Sequence, residues 1–182
     1  AFQGIAAPKA EAFKTPLGNV PIDADAVAAI RDMPQVLLDD EPHRKEHSLE
    51  VHIPFLQQVL GDFTLLPLVA GSVSGEQVAE VLERLWGNES TRFVISTDLS
   101  HFHDYKSAQK MDGSTAEAIG TMNPGAISRD QACGRIPVAG MLIAAHNHGL
   151  SVERIDLRNS GDTAGNKDKV VGYGSWAVCD NG

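Results

Sequence analysis

The segment Ser96-Thr97-Asp98-Leu99-Ser100-His101-Phe102-His103 brings a carboxylate, hydroxyls and two imidazoles together directly after the apolar run 93–96. Phe93, Val94 and Ile95 read as a buried strand. In open α/β sheets ligands gather beyond the carboxyl ends of strands. A carboxylate and an imidazole delivered there can hold a metal or move protons. The plain alternative is a cap: Asp98 accepts the amides of the following turn, and His101 packs against it.

A second cluster is Glu46-His47-Ser48-Leu49-Glu50-Val51-His52, and with His43 it spells H-x-x-E-H. On a helix that spacing puts two imidazoles on one face with Glu46 as a base, as in the inverted zinc proteases. Pro54 interrupts the helical pattern, no downstream carboxylate is nominated, and for His43 a solvated, charged helix entry is the preferred reading. A third feature is Cys133-Gly134-Arg135-Ile136-Pro137. A lone cysteine in apolar surroundings is commonly an inert buried thiol. Its place before a helix and beside Arg135 favours the thiolate. His146 and His148 sit at the end of an apolar helix and read as structural or surface groups, and Trp86 and Trp176 as core residues. No phosphate-binding glycine loop and no G-x-S-x-G nucleophile elbow occurs.

The elements that must carry these groups alternate along the chain. Residues 2–7 read as a short strand, and 14–23, with Pro16, Gly18 and Pro21, as a loop with turns. Asp23 is placed to cap a helix over 24–32. A helix starts near Pro54 and stops at Gly61. Residues 63–71 read as a buried strand, 74–87 as an amphipathic helix, 93–96 as a strand and 106–120 as a helix. A loop then runs into a buried helix over 132–149, followed by strands over 152–157 and 170–180. Strands alternating with helices predict an α/β class with a helix-flanked, partly parallel sheet, and one domain over 1–182.

The chain of 182 residues is long enough for a full hydrophobic core. Its formal net charge of −9 argues against nucleic acid or an anionic membrane as partner, since both select clustered Lys and Arg. Cys133 and Cys179 form no C-x-x-C pair and no disulfide framework, which fits a reducing compartment. No apolar run approaches the ~20 residues that span a bilayer, and the N-terminal residues lack a signal peptide's charged start and long apolar stretch. The expected location is cytoplasmic.

Together, EHSLEVHIPFLQ (46–57), FTLLPLVAG (63–71), FVISTDLSHFHDY (93–105) and CGRIPVAG (133–140) resemble the Memo family in order and spacing. The similarity covers nearly the whole chain, and the pairing of E-H-S-x-E with S-T-D-L-S-H is its most specific part. The resemblance implies an α/β fold related to class III extradiol dioxygenases, which hold non-haem iron with two His and a carboxylate. In the Memo family the comparable pocket has two His and one Cys. The matching cysteine is Cys133, Asp98 and His101 match pocket residues beside the metal, and His47 falls in the motif that closes over it. Family members carry the two His ligands on an Ala-Pro-His-Ala-Gly-Tyr motif and a Gly-Pro-Ser-His motif, neither of which occurs here. The resemblance therefore implies the larger, C-terminal part of a family member, binding metal weakly unless Asp98, His101 and Cys133 suffice.

Thiolate and imidazole suit iron, copper or zinc, so the expected cofactor is a divalent or redox-active metal. Three functions follow. The first is a metal-binding protein with redox or oxygenase-like activity, with Asp98, His101 and His47 as proton-transfer groups. The second is a non-enzymatic module whose pocket takes a small molecule, a peptide or a small anion near Arg135. The third is a zinc hydrolase using His43, Glu46 and His47. An exposed sheet edge left by missing strands would invite a second copy of the chain, making a homo-oligomer.

Overall fold

A computed structural model describes residues 2–87, 90–163 and 165–180. They fall into two compact units, Ala1–Arg92 and Phe93–Gly182. Both contain helices and strands, so the class is α/β as the alternation predicts.

In the first unit, β1 (Ile5–Ala7) is buried along its whole length. It lies between β4 (Val36–Leu38), which it pairs in parallel, and β5 (Val69–Ala70), which it pairs antiparallel. The β1–β4 pair is the parallel part of the sheets among the described residues. The stretch expected to be a loop with turns is a hairpin instead. β2 (Ala12–Thr15) and β3 (Gly18–Pro21) pair from Ala12↔Pro21 to Thr15↔Gly18. Turn residues reveal the turn, whereas the ladder on either side depends on pairing that composition does not encode. Asp23 caps α1 (Ala24–Ile30) as expected, accepting from Ala26 N at 2.9 Å.

α2 (Ile53–Leu60) starts at Pro54's first turn and ends at Gly61. Its apolar residues follow helical spacing on two stripes, Ile53, Leu56 and Leu60 on one and Phe55 and Val59 on the other, and only Ile53 is buried. Ile53 is 1% exposed, while Phe55 is 75% and Val59 80% exposed. α3 (Gly75–Leu85) has a reciprocal cap in which Ser74 and Gln77 satisfy each other's amides, and it buries Val78, Ala79, Val81 and Leu82. The expected strand over 63–71 shrinks to the two residues of β5.

The second unit holds β6 (His101–His103), α4 (Tyr105–Gly120), α5 (Arg135–Asn147), β7 (Ser151–Asn159) and β8 (Val170–Cys179). The strands form one antiparallel sheet in the order β6-β8-β7. Asp104 starts α4 by accepting from Lys106 N and Ser107 N, both at 3.1 Å. Ala118 and Ile119 of α4, Ile127, Ala132, and Val138 and Leu142 of α5 make a core, with Ile95, Val152 and Trp176 packed on it. Residues 93–96, expected as a strand, carry no strand assignment, and Val94 is 46% exposed. Their β-branched and aromatic composition favours extended backbone, but a strand is defined by its ladder. Among the described residues no helix is long and apolar enough to cross a membrane.

Candidate metal centre

The cluster that stood out in sequence leads into β6, and the cysteine lies just before α5. The fold of the second unit brings the two together. One ligand atom from each of Asp98, His101 and Cys133 lies within 4.8 Å of the other two. It is the one such group of three or more His, Cys, Asp and Glu found among the described residues. His101 Nε2 is 3.4 Å from Asp98 Oδ2. Asp98 and Cys133 are exposed and His101 is half-buried, so the three groups face an accessible surface.

The backbone builds the junction. Asp98 N donates to Cys133 Sγ at 3.3 Å. That amide ties the cysteine side chain to the backbone of the Asp98 segment. Thr97 Oγ1 lies 3.6 Å from the same sulfur, donates to Asp98 O at 2.7 Å and accepts from Gly134 N at 2.8 Å. The two segments approach so closely that a Cβ on Gly134 would stand 2.7 Å from Ser96 O and 2.8 Å from Thr97 Cβ. Only glycine allows that approach. Thr97 and Gly134 join the two segments; sequence reasoning did not single them out, although both lie inside the motifs it quoted.

His101 is set by an irregularity in its strand. His101 pairs with Val171 and His103 with Val170, so the register shifts between them. Phe102, between the two, has φ of 60° and is 71% exposed. A non-glycine aromatic in the left-handed region is strained, and bulges of this kind re-aim side chains beside sites. The Phe102 ring is tilted against the His101 imidazole at 5.8 Å between centroids. His103 is not part of the cluster.

His47 lies in the first unit, exposed, with Nδ1 3.0 Å from Glu50 Oε1. Glu46 Oε1 accepts from His47 N and Ser48 N, each at 2.9 Å. Partial burial pushes the Glu46 carboxyl up, but the hydrogen bonds from Ser48 and His47 outweigh it and hold the group below the usual range. The helical frame needed by the H-x-x-E-H reading is not formed. His43 is on a single 3-10 turn, Pro42–Lys45, and Glu46 is already extended. His43 and His47 therefore do not share a helix face. His43 Nε2 is buried without a hydrogen-bond partner, and desolvation lowers the imidazole's pKa.

The donor set fits a transition metal. A soft thiolate, an imidazole and a carboxylate from three positions suit iron, copper or zinc, and open positions remain for further ligands.

A family model described as Memo-like protein matches residues 1–177. A MEMO1 family protein of Thermoplasma acidophilum is 33% identical over 172 residues, which are 90% of this chain and 64% of that protein. One of Aeropyrum pernix is 32% identical over 174 residues, 88% of this chain and 62% of that protein. One of Methanobrevibacter smithii is 34% identical over 178 residues, again 88% and 62%. The chain spans less than two thirds of the length of these relatives.

Proposed function

Because the chain belongs to the Memo family, we propose that it is the part of a metal-binding protein that supplies Cys133, His101 and Asp98 to a transition-metal centre. The observation that carries this reading is the convergence of the three ligand atoms within 4.8 Å on an accessible surface. Cys133 would be the sulfur ligand, held in place by the Asp98 amide that donates to it. His101 and Asp98, 3.4 Å apart, would hold the ion or pass a proton between imidazole and carboxylate. Bound iron or copper would add one-electron or oxygen chemistry, and zinc Lewis acidity. The cytoplasmic assignment and the small-molecule or peptide occupant of the pocket stand as parts of the same proposal.

Metal analysis of purified wild-type, Cys133→Ala and His101→Ala proteins tests it. Wild type is expected to carry or take up a transition metal, and both variants to lose it. Metal uptake equal to wild type in both variants would reject the site. That outcome would favour a non-enzymatic module that binds a peptide or small anion near Arg135.

A further inference from the structure

We infer that Asp112, with Gly172, is a positioning residue that clamps Leu99 and Ser100 and so sets the placement of Asp98 and His101. The inference rests on the reading of that cluster as a metal centre.

Asp98 and His101 flank two residues that are wholly buried: Leu99 and Ser100 are both 0% exposed. Their backbone is tied down at three points. Leu99 N donates to Gly172 O at 2.9 Å, and Gly172 N donates to Ser100 O at 2.8 Å. The remaining amide, Ser100 N, donates to Asp112 Oδ1 at 2.9 Å. Asp112 is 2% exposed and reaches this amide from α4. Burying a carboxylate is costly, and a buried N–H left without an acceptor is costly too. A hydrogen bond between the two offsets both costs and fixes the loop at its midpoint.

Gly172 makes the contact sterically possible. A Cβ there would fall 2.1 Å from Asp112 Oδ2, so any side chain would displace the carboxylate. Two residues from different elements are thus fitted to each other around one amide. Immediately beyond the clamp the strand bulges at Phe102. With Ser100 held and His103 paired to Val170, the extra residue must be taken up between them, next to His101. Outer groups that orient ligands in this way typically change metal affinity 10–100-fold when removed.

The test is cobalt(II) titration of wild-type, Asp112→Ala and Asp112→Asn proteins, followed by absorption spectroscopy, with folding checked by circular dichroism. Asp112→Ala is expected to weaken cobalt about 10–100-fold and to alter the d–d bands. It should retain the sulfur-to-cobalt charge-transfer band, because Cys133 is carried by the segment before α5. Asp112→Asn keeps an Oδ1 acceptor for Ser100 N and should return affinity close to wild type. A purely structural Asp112 would change the melting temperature but not the cobalt spectrum or affinity, and that result overturns the inference. So does an Asn variant as weak as Ala. If Asp112→Ala does not fold, Gly172→Ala displaces the same carboxylate, and unchanged cobalt affinity there also overturns it. If wild type itself binds no cobalt, the metal reading fails and the clamp is judged from amide hydrogen exchange. Protection at Ser100 and His101 should then be lost in Asp112→Ala and restored in Asp112→Asn; equal protection in all three rejects it.

Discussion

At the scale of single residues, the cluster of Asp98, His101 and Cys133 is arranged by backbone amides as well as by side chains. The sulfur of Cys133 receives an amide from Asp98, and Thr97 stitches the two segments together. The three candidate groups stood out in sequence, Cys133 as the expected metal ligand and Asp98 and His101 as proton-transfer groups beside it, because carboxylate, imidazole and thiol are distinctive chemistry. Thr97, Asp112 and Gly172 were not, because a hydroxyl, a helical acid and a strand glycine acquire meaning from neighbours far along the chain. His43 shows the limit of local reading. The preferred sequence reading, a solvated and charged helix entry, does not hold, because its environment is that of a desolvated imidazole whose Nε2 has no hydrogen-bond partner. Burial favours its neutral form, so its folded pKa lies below its unfolded value. The unfolded chain then binds more protons, and the contribution of His43 is complete above the unfolded value of about pH 6.5 and lost as pH falls from there through the lower folded pKa. Thermal melts between about pH 7 and pH 5 should show wild type losing stability more steeply than His43→Phe. Parallel slopes would remove His43 from the account.

At the scale of elements, local signals located helices better than strands. Asp23, Ser74 and Asp104 each cap a helix close to where the sequence placed its start. Helices close their hydrogen bonds locally, so their ends are written in nearby residues. Ser74→Ala removes one half of a reciprocal cap on α3 and is expected to cost about 1 kcal/mol, read as a lower denaturation midpoint. No change would mean that tertiary packing alone holds that terminus. Strands fared otherwise. The apolar run at 93–96 is not assigned as a strand, and the hairpin of β2 and β3 was hidden behind its turn residues. The two stripes of α2 were both visible as periodicity, yet only neighbours in space determined that Ile53 is buried and Phe55 exposed.

At the scale of the whole molecule, each compact unit has its own buried apolar residues, from Ile5, Ile30, Ile53 and Val81 in one to Ile119, Leu142 and Val170 in the other. The proposed ligands Asp98, His101 and Cys133 belong to the second. The chain corresponds to 62–64% of the length of the three relatives described above. The Ala-Pro-His-Ala-Gly-Tyr and Gly-Pro-Ser-His motifs that the family resemblance leads one to expect do not occur in residues 1–182. A chain of the relatives' length that carries both motifs should bind cobalt more tightly than residues 1–182 alone, since each added ligand stabilises the ion. Equal affinities by titration would show that Asp98, His101 and Cys133 are sufficient. By itself the sequence determined the family, the α/β class, the helix starts and the identity of the candidate ligands, because these rest on local chemistry and on motif order. Only the tertiary structure decided that Cys133 meets Asp98 and His101, that Asp112 and Gly172 grip the loop between them, and that His43 and His47 do not share a helix face. Those outcomes depend on distances between residues remote in sequence, which no local pattern carries.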